Sequence, residues 1–122
     1  NWDQAFDKYV GIDSQAYVPR KRMTSRNAIK LIKETGGKAV LAHPGFINDD
    51  DIVHEVINMG LDGLEIFYYG HSDKDIDKYE KMALDYGLLM TGGSDDHGPG
   101  NKDGLRLGKI RLDYKFVKML KH

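Results

Sequence analysis

The sequence has 122 residues, of which 40% are hydrophobic, and 18 Lys and Arg against 19 Asp and Glu give a net charge of −1. This is the composition of a globular chain of one domain or part of one, with no general electrostatic reason to bind a nucleic-acid backbone. The absence of cysteine excludes disulfides and thiolate chemistry, which leaves His, Asp and Glu as the strong metal ligands. No apolar segment reaches the roughly 20 residues that cross a bilayer, and no signal peptide is recognisable, so we expect a cytoplasmic protein without a membrane partner.

Three helix–strand units follow one another along the chain. Residues 25–37 predict a helix, and KAVLA at 38–42 predicts a strand. The pattern repeats in DDDIVHEVINMG with the strand GLEIF, and again in DKDIDKYEKMALDYG with the strand LLMTG. Alternating helices and short apolar strands are typical of parallel strands joined by right-handed crossovers, so the sequence predicts an α/β fold.

Side chains that bind metals follow each predicted strand. His43 follows the first strand, His71 the second, and Asp95 and His97 the third. Because the carboxyl ends of parallel strands lie along one edge of a sheet, these side chains are able to share a site. Imidazole and carboxylate ligands suit Mn²⁺, Fe²⁺ and Zn²⁺, and such ions activate water and neutralise phosphate oxygens. The four residues therefore predict a divalent-metal site.

Each of these residues also has a simpler structural explanation. A histidine before Pro-Gly, as at His43, is typical of a turn, and His71 is open to the same interpretation. Asp95 with His97 is typical of an Asx turn with a solvated imidazole. The functional hypothesis is favoured because the structural one must place every residue independently at the same end of the sheet.

Several neighbouring residues keep two interpretations open. Glu65 lies on the second strand, and it is either a structural carboxylate or a direct participant in the site. Tyr68 and Tyr69 are interpreted as packing or rim residues rather than as a platform for stacking bases. Asp96 should point away from its two neighbours on an extended backbone. One basic cluster is either a solvated loop or a contact to an anionic substrate: Arg20, Lys21, Arg22 and Arg26.

The segments GGKAVLAHPG, GLEIFYYGHS and TGGSDDHG, in this order, resemble the C-terminal part of a PHP (polymerase and histidinol phosphatase) domain of a metal-dependent phosphoesterase. The resemblance implies a distorted (β/α)7 TIM-like barrel that holds two or three divalent ions, Mn, Fe or Zn, at the carboxyl ends of its strands. It implies that His43, Asp95 and His97 are metal ligands and that His71 binds phosphate or acts as an acid. The family usually has an aromatic residue where Asp96 stands.

The resemblance also implies that a large part of the family's site precedes the matched region. The family's HxH motif, its next histidine and its metal-bridging glutamate all precede the matched region, and this sequence has no histidine before His43. We therefore expect 1–122 to be the C-terminal portion of a single PHP domain whose N-terminal half is absent. Within it we predict a lead-in over 1–24, βα units over 25–112 and a terminal helix over 113–122. Such a fragment should be inactive and should self-associate through its exposed sheet edge.

For the intact protein the resemblance implies hydrolysis of a phosphate ester of a small molecule, a nucleotide or an oligoribonucleotide. Arg20 is a further candidate for contact with that substrate. Two alternatives stay open. One is a non-catalytic, metal-binding PHP-like module with a structural or regulatory role, and the other is a plain α/β binding domain whose histidines are structural.

Overall fold

A computed structural model describes residues 1–9, 11, 14, 17–18, 22–100 and 104–121. Its helices and strands in this described part are α1 Trp2–Tyr9, α2 Ser25–Glu34, β1 Val40–Leu41, α3 Asp50–Asn58, β2 Gly63–Tyr68, α4 Asp73–Tyr86, β3 Leu89–Gly93 and α5 Tyr114–Leu120, with a 3-10 turn over Pro44–Ile47. The three predicted helix–strand units are therefore present in the predicted order. No helix of the described part is long and apolar enough to span a membrane.

The strands form a parallel sheet in the order β1-β2-β3, with α3 and α4 as the crossovers. The predicted α/β class with parallel strands is thereby confirmed. β1 is shorter than predicted, since only Val40 and Leu41 pair with β2. The pairing of β2 with β3 is interrupted by a bulge between Glu65 and Phe67. A bulge redirects the side chains beyond it, and this one lies just before the end of β2 that carries the candidate site.

Local capping signals explain where the helices begin and end. The Thr24 side chain accepts the Asn27 amide and starts α2, and the Asp49 side chain accepts the amides of Asp51 and Ile52 at the start of α3. Two further local signals bound the last crossover helix. Ser72 and Asp75 form a reciprocal capping box at the start of α4, and Gly87 ends it in the left-handed conformation.

The core lies between the sheet and the two crossover helices. Leu64 and Ile66 of β2 are fully buried, and they pack with a cluster from α3, α4 and β3 that contains Val53, Ile57, Tyr79, Met82, Ala83 and Met90. The alternate residues of β2, Glu65 and Phe67, are only half-buried. The Phe67 ring lies 5.3 Å from that of Phe116 in α5. One sheet face is thus packed against helices, while the other is covered in part by α5.

α1 was not predicted, because 1–24 was interpreted as a lead-in, although apolar residues recur there at helical spacing, at Trp2, Ala5, Phe6 and Tyr9. Its start is fixed by Asn1, whose side-chain oxygen accepts the Gln4 amide at 2.9 Å. The assignment of 1–24, 25–112 and 113–122 as parts of one domain stays a prediction.

Asp62 joins α2 to the start of β1. Its carboxylate accepts the Ala39 amide at 2.8 Å and the Lys33 ammonium at 3.0 Å. Lys33 also donates to the Gly60 carbonyl at 2.8 Å. Burial by itself would raise the pKa of Asp62, but the hydrogen bonds from Ala39 and Lys33 outweigh it and hold the pKa below its usual value.

The lowered pKa of Asp62 predicts a loss of stability in acid. A carboxyl group whose pKa is lower in the folded state stabilises the fold above its unfolded pKa, about 3.9, and this is lost as the pH falls through the folded pKa. Asp62→Asn should therefore lower the free energy of unfolding at pH 7 by about 1 kcal/mol. The difference from wild type should vanish near pH 2. Urea unfolding at pH 7 and pH 2 measures this difference in the free energy of unfolding, with Asp77→Asn on the exposed side of α4 as the control. An equal difference at both pH values would contradict the prediction.

β1 forms one edge of the described sheet. Beside it, α2, β1 and α3 border a groove of about 360 Å³, lined chiefly by apolar side chains such as Ile29, Ile32, Leu41 and Val56. Unpaired strand edges favour association between chains. Self-association through this edge stays a prediction, and light scattering that finds a monomer at high concentration would contradict it.

Candidate metal and phosphate site

The predicted site residues lie where the parallel topology places them. His43 follows β1, His71 follows β2, and Asp95 and His97 follow β3, all at the carboxyl edge of the sheet. Arg20 lies outside the described residues, so the structure does not bear on its predicted contact. Arg22 and Arg26 are exposed.

His43 is held in an unusual backbone conformation. Its φ is 32° and its ψ is 60°, which lies in the left-handed region that residues with a Cβ rarely adopt. The His43 amide donates to Glu65 Oε2 at 2.9 Å, so the carboxylate of the neighbouring strand fixes this turn. Gly93 makes room for that carboxylate, because a Cβ at position 93 would lie 3.2 Å from Glu65 Oε1. Glu65 therefore binds the backbone amide of a candidate ligand, which favours the interpretation of Glu65 as a structural carboxylate.

Tyr68 connects the loops that follow the three strands. It is 3% exposed, which confirms its interpretation as a packing residue. Its ring centroid lies 5.3 Å from that of His43 and 5.2 Å from that of His71. Its hydroxyl donates to Asp95 Oδ2 at 3.2 Å, a contact between residues 27 positions apart that the sequence did not reveal.

The environment of Tyr68 keeps its hydroxyl protonated. Burial is the main cause that raises the pKa of Tyr68, and the hydrogen bond and charge of Asp95 raise it further. The neighbouring Arg106 guanidinium acts in the opposite direction. Since the net shift is upward, Tyr68 is a donor at neutral pH and orients the Asp95 carboxylate.

Asp95 and His97 are coupled through the backbone. The φ of Asp95 is 50°, again in the left-handed region. His97 Nδ1 lies 2.9 Å from the Asp95 carbonyl oxygen, and because a carbonyl only accepts, Nδ1 carries the proton. A histidine that donates one ring N–H to a backbone carbonyl presents its other nitrogen for a metal, as metal-bound histidines commonly do.

His71 uses both ring nitrogens to join two loops. Nδ1 donates to the Ile66 carbonyl at 2.8 Å, and Nε2 accepts the Gly45 amide at 3.1 Å. Position 45 requires glycine for this contact, because a Cβ there would lie 2.9 Å from Nε2. In this arrangement His71 positions the turn after β1, and direct contact of Nε2 with a phosphate requires the Gly45 bond to open.

Asp96 binds the segment that follows the site rather than the site itself. Its Oδ1 accepts the Gly98 amide at 2.8 Å, and its Oδ2 accepts the amides of Arg106 and Leu107. These backbone hydrogen bonds, from Arg106 first, hold the pKa of Asp96 below its usual value. Asp96 therefore stays ionised and uses its oxygens to bind backbone amides, although the left-handed Asp95 shows that the backbone here is not extended as predicted.

The donors fit a divalent metal by their chemistry, but they do not form a closed site by themselves. Across the described ranges, no three His, Asp or Glu side chains lie close enough together to hold a metal ion. Two proposed ligands, His43 and Asp95, nevertheless have strained, left-handed backbone conformations. Among the described residues other than glycine, Asn48 alone shares this conformation. Strain of this sort concentrates at functional sites, which agrees with a metal role for these positions.

The curated relatives that the chain matches are named as hydrolases of phosphate esters. The chain is 40% identical over 74 residues to a phosphoribosyl 1,2-cyclic phosphate 1,2-diphosphodiesterase of Eggerthella lenta, a match that covers 61% of this chain and 28% of that protein. It is 32% identical over 100 residues to a 3′,5′-nucleoside bisphosphate phosphatase of Chromobacterium violaceum, covering 78% and 35% of the two. A 5′-3′ exoribonuclease of Escherichia coli is 33% identical over 100 residues, covering 77% and 34%. No family model matches the sequence.

Solved structures agree with these relatives. A crystal structure assigned as a metal-dependent phosphoesterase from Bifidobacterium adolescentis superimposes with a TM-score of 0.70 at 31% identity, and the match covers 97% of this chain and 43% of that one. The chain is part of a PHP-like domain. An amidohydrolase of Chromobacterium violaceum with bound sulfate and no metal gives a TM-score of 0.60 at 26% identity, covering 96% and 44%. These neighbours are barrels of the PHP and amidohydrolase type, of which this PHP-like chain covers a part.

The PHP-like chain spans about a third of the length of these curated relatives, since the matches cover 28%, 35% and 34% of them. The structure adds two residues to the candidate site: Tyr68, which the sequence analysis interpreted only as a packing or rim residue, and Arg106, which it did not name. The Tyr68 hydroxyl reaches Asp95, and Arg106 reaches the same point from the loop after β3. No sequence signal marked Arg106, because it lies in an aperiodic segment nine residues beyond His97.

Proposed function

We propose that the whole protein, meaning a chain of the relatives' length that contains these residues, is a metal-dependent phosphoesterase. His43, Asp95 and His97 contribute ligands to two or three divalent ions, Mn, Fe or Zn. The observation that carries the proposal is the meeting of three loops at Tyr68, whose ring contacts His43 and whose hydroxyl binds Asp95. The relatives' names and the imidazole and carboxylate chemistry of the donors support the same reaction.

The residues of this chain prepare the site in distinct ways. When bound, divalent ions supply positive charge for phosphate oxygens and activate water. Tyr68 orients the Asp95 carboxylate, and Glu65 holds the His43 turn. His71 ties the loops after β1 and β2 together, and we propose that it meets the phosphate or protonates the leaving oxygen after release of Gly45. Arg20 is proposed as a further contact to the anionic substrate.

The proposed substrate is a phosphate ester on a ribose-containing molecule, such as a nucleotide or a short oligoribonucleotide. The relatives act, by name, on a phosphoribosyl cyclic phosphate, on nucleoside bisphosphates and on RNA. All three substrates carry phosphate on ribose. The sulfate bound by the amidohydrolase neighbour has nearly the size and shape of such a phosphate. The 122 residues alone, as the C-terminal portion of one domain, are proposed to be inactive because further ligands are required.

Hydrolysis assays of the whole protein test the proposal. A 3′,5′-bisphosphate nucleotide, a ribose phosphate and a 5′-phosphorylated oligoribonucleotide serve as substrates, and a carboxylic ester serves as the control. We expect at least one phosphate ester to be hydrolysed, with activity lost after chelation and restored by Mn²⁺, Fe²⁺ or Zn²⁺. Absence of phosphate release from all three with every metal would contradict it.

A second candidate is a non-catalytic, metal-binding PHP-like module. It is favoured by the engagement of both His71 ring nitrogens in backbone hydrogen bonds, which leaves that side chain no position for chemistry without rearrangement. Metal binding without hydrolysis in the whole protein would support it. The remaining alternative is a plain α/β binding domain whose histidines are structural. It predicts that Mn²⁺ and Zn²⁺ leave the Tm unchanged, because a metal that binds the native state would raise the Tm.

A further inference from the structure

The loop over residues 104–109 is fastened to the candidate site by one carboxylate. Asp96, between the proposed ligands Asp95 and His97, accepts the amides of Arg106 and Leu107. Its other oxygen accepts the Gly98 amide at 2.8 Å. Three amides on one ionised carboxylate fix the loop in register with the end of β3. The position of the loop is therefore set by the segment that carries the proposed ligands.

This fastening brings a cationic side chain to the site. The Arg106 guanidinium lies over the Tyr69 ring, with Cζ 5.0 Å from the ring centroid, and Lys109 Nζ lies 5.1 Å from the same centroid. Arg106 is half-buried, and it also interacts with the hydroxyl of Tyr68, which binds Asp95. A guanidinium stacked on an aromatic ring keeps its orientation and presents N–H groups at its edge.

We propose that Arg106 recognises the phosphate group of the substrate, and that Asp96 is a positioning residue that places Arg106 for this purpose. The proposal rests on the proposed function for the identity of the ligand. A planar guanidinium matches two oxygens of a phosphate and is the side chain best suited to bind them in pairs. Its place beside Tyr68 and Asp95 puts this positive charge next to the proposed ligands, where an anionic substrate must arrive. Lys109 adds a second cation close to the Tyr69 ring.

A structural role is the competing explanation, in which Arg106 only neutralises Asp95 and packs on Tyr69. The two explanations differ in what happens to phosphate binding. If Arg106 is structural, its removal lowers stability and leaves the affinity for phosphate unchanged. If Arg106 binds phosphate, its removal weakens that affinity, and lysine at the same position restores a part of it because the charge is kept without the paired geometry.

Titration calorimetry with inorganic phosphate on the whole, metal-loaded protein tests the proposal without requiring turnover. We expect Arg106→Ala to weaken phosphate binding by about 10- to 100-fold and Arg106→Lys to weaken it less. Asp96→Asn should also weaken it, by about 10-fold, because the loop loses its anchor while Arg106 is retained. Arg111→Ala, an exposed arginine on the same segment, is the control and should bind as wild type does.

Unchanged phosphate affinity in Arg106→Ala, or a wild type that binds no phosphate, would overturn the proposal. Hydrolysis assays on the same proteins separate this result from failure of the proposed function. If phosphate binding depends on Arg106 but the protein hydrolyses no substrate, the inference about Arg106 is retained and the proposed phosphoesterase activity is rejected. Hydrolysis with full phosphate affinity in Arg106→Ala would reject the inference and keep the enzyme.

Discussion

Asp95→Ala is expected to abolish phosphate-ester hydrolysis by the whole protein while leaving the fold intact. The Asp95 carboxylate is a proposed metal ligand and accepts the Tyr68 hydroxyl, so its removal takes away a ligand and leaves that donor without its acceptor. Loss of a residue that only orients a ligand costs about 10- to 100-fold in activity. Removal of the ligand itself should cost more than that. Steady-state kinetics give the change in kcat/KM, and circular dichroism checks the fold.

Two further variants make the Asp95 prediction specific. Tyr68→Phe removes only the hydroxyl that orients Asp95, and it should lower kcat/KM by about 10- to 100-fold. Asp77→Ala, an exposed carboxylate of α4, should have no effect. Asp95→Ala with wild-type turnover would show that the carboxylate has no place in the reaction.

Leu64→Ala is expected to lower the free energy of unfolding of the chain by about 2–5 kcal/mol. Leu64 is fully buried, and its strand lies between β1 and β3, where it pairs with Leu41 and Met90. Its side chain packs into the cluster under α3 and α4, so truncation leaves a cavity that the neighbours fill only in part. Urea unfolding followed by circular dichroism measures the change.

Leu84→Ala is the matched control for the core prediction. Leu84 lies on α4 and is 68% exposed, so its truncation should change stability by less than about 0.5 kcal/mol. Similar unfolding midpoints for Leu64→Ala and Leu84→Ala would mean that the sheet centre is not the core described above.

The order of helices and strands was predictable because its signals are local. Thr24, Asp49 and Ser72 cap helices within three residues of their own positions, and Gly87 ends α4 where the pattern places it. The alternation of elements then predicted parallel strands, and with them the common edge that carries the candidate ligands. These features depend on neighbours in the sequence and on one topological rule.

The contacts that assemble the site were not predictable, because they join distant residues. Tyr68 reaches Asp95 across 27 positions, and Gly45 reaches His71 across 26. Which side chains face each other there depends on the register between parallel strands, which no turn fixes. The bulge between Glu65 and Phe67 shifts that register locally and leaves no mark in the sequence. Asp96 was expected to point away from its neighbours, but the sequence did not indicate that its carboxylate accepts the Arg106 amide.

Elemental analysis of the purified whole protein tests the central claim most directly, that His43 and His97 are metal ligands. Wild type, His43→Ala and His97→Ala are compared with His54→Ala, whose imidazole bonds to Tyr86 on the surface between α3 and α4. We predict stoichiometric Mn, Fe or Zn in wild type and His54→Ala, and loss of at least one ion in the other two. Equal metal content in all four proteins, or none in wild type after incubation with each metal, would contradict the account.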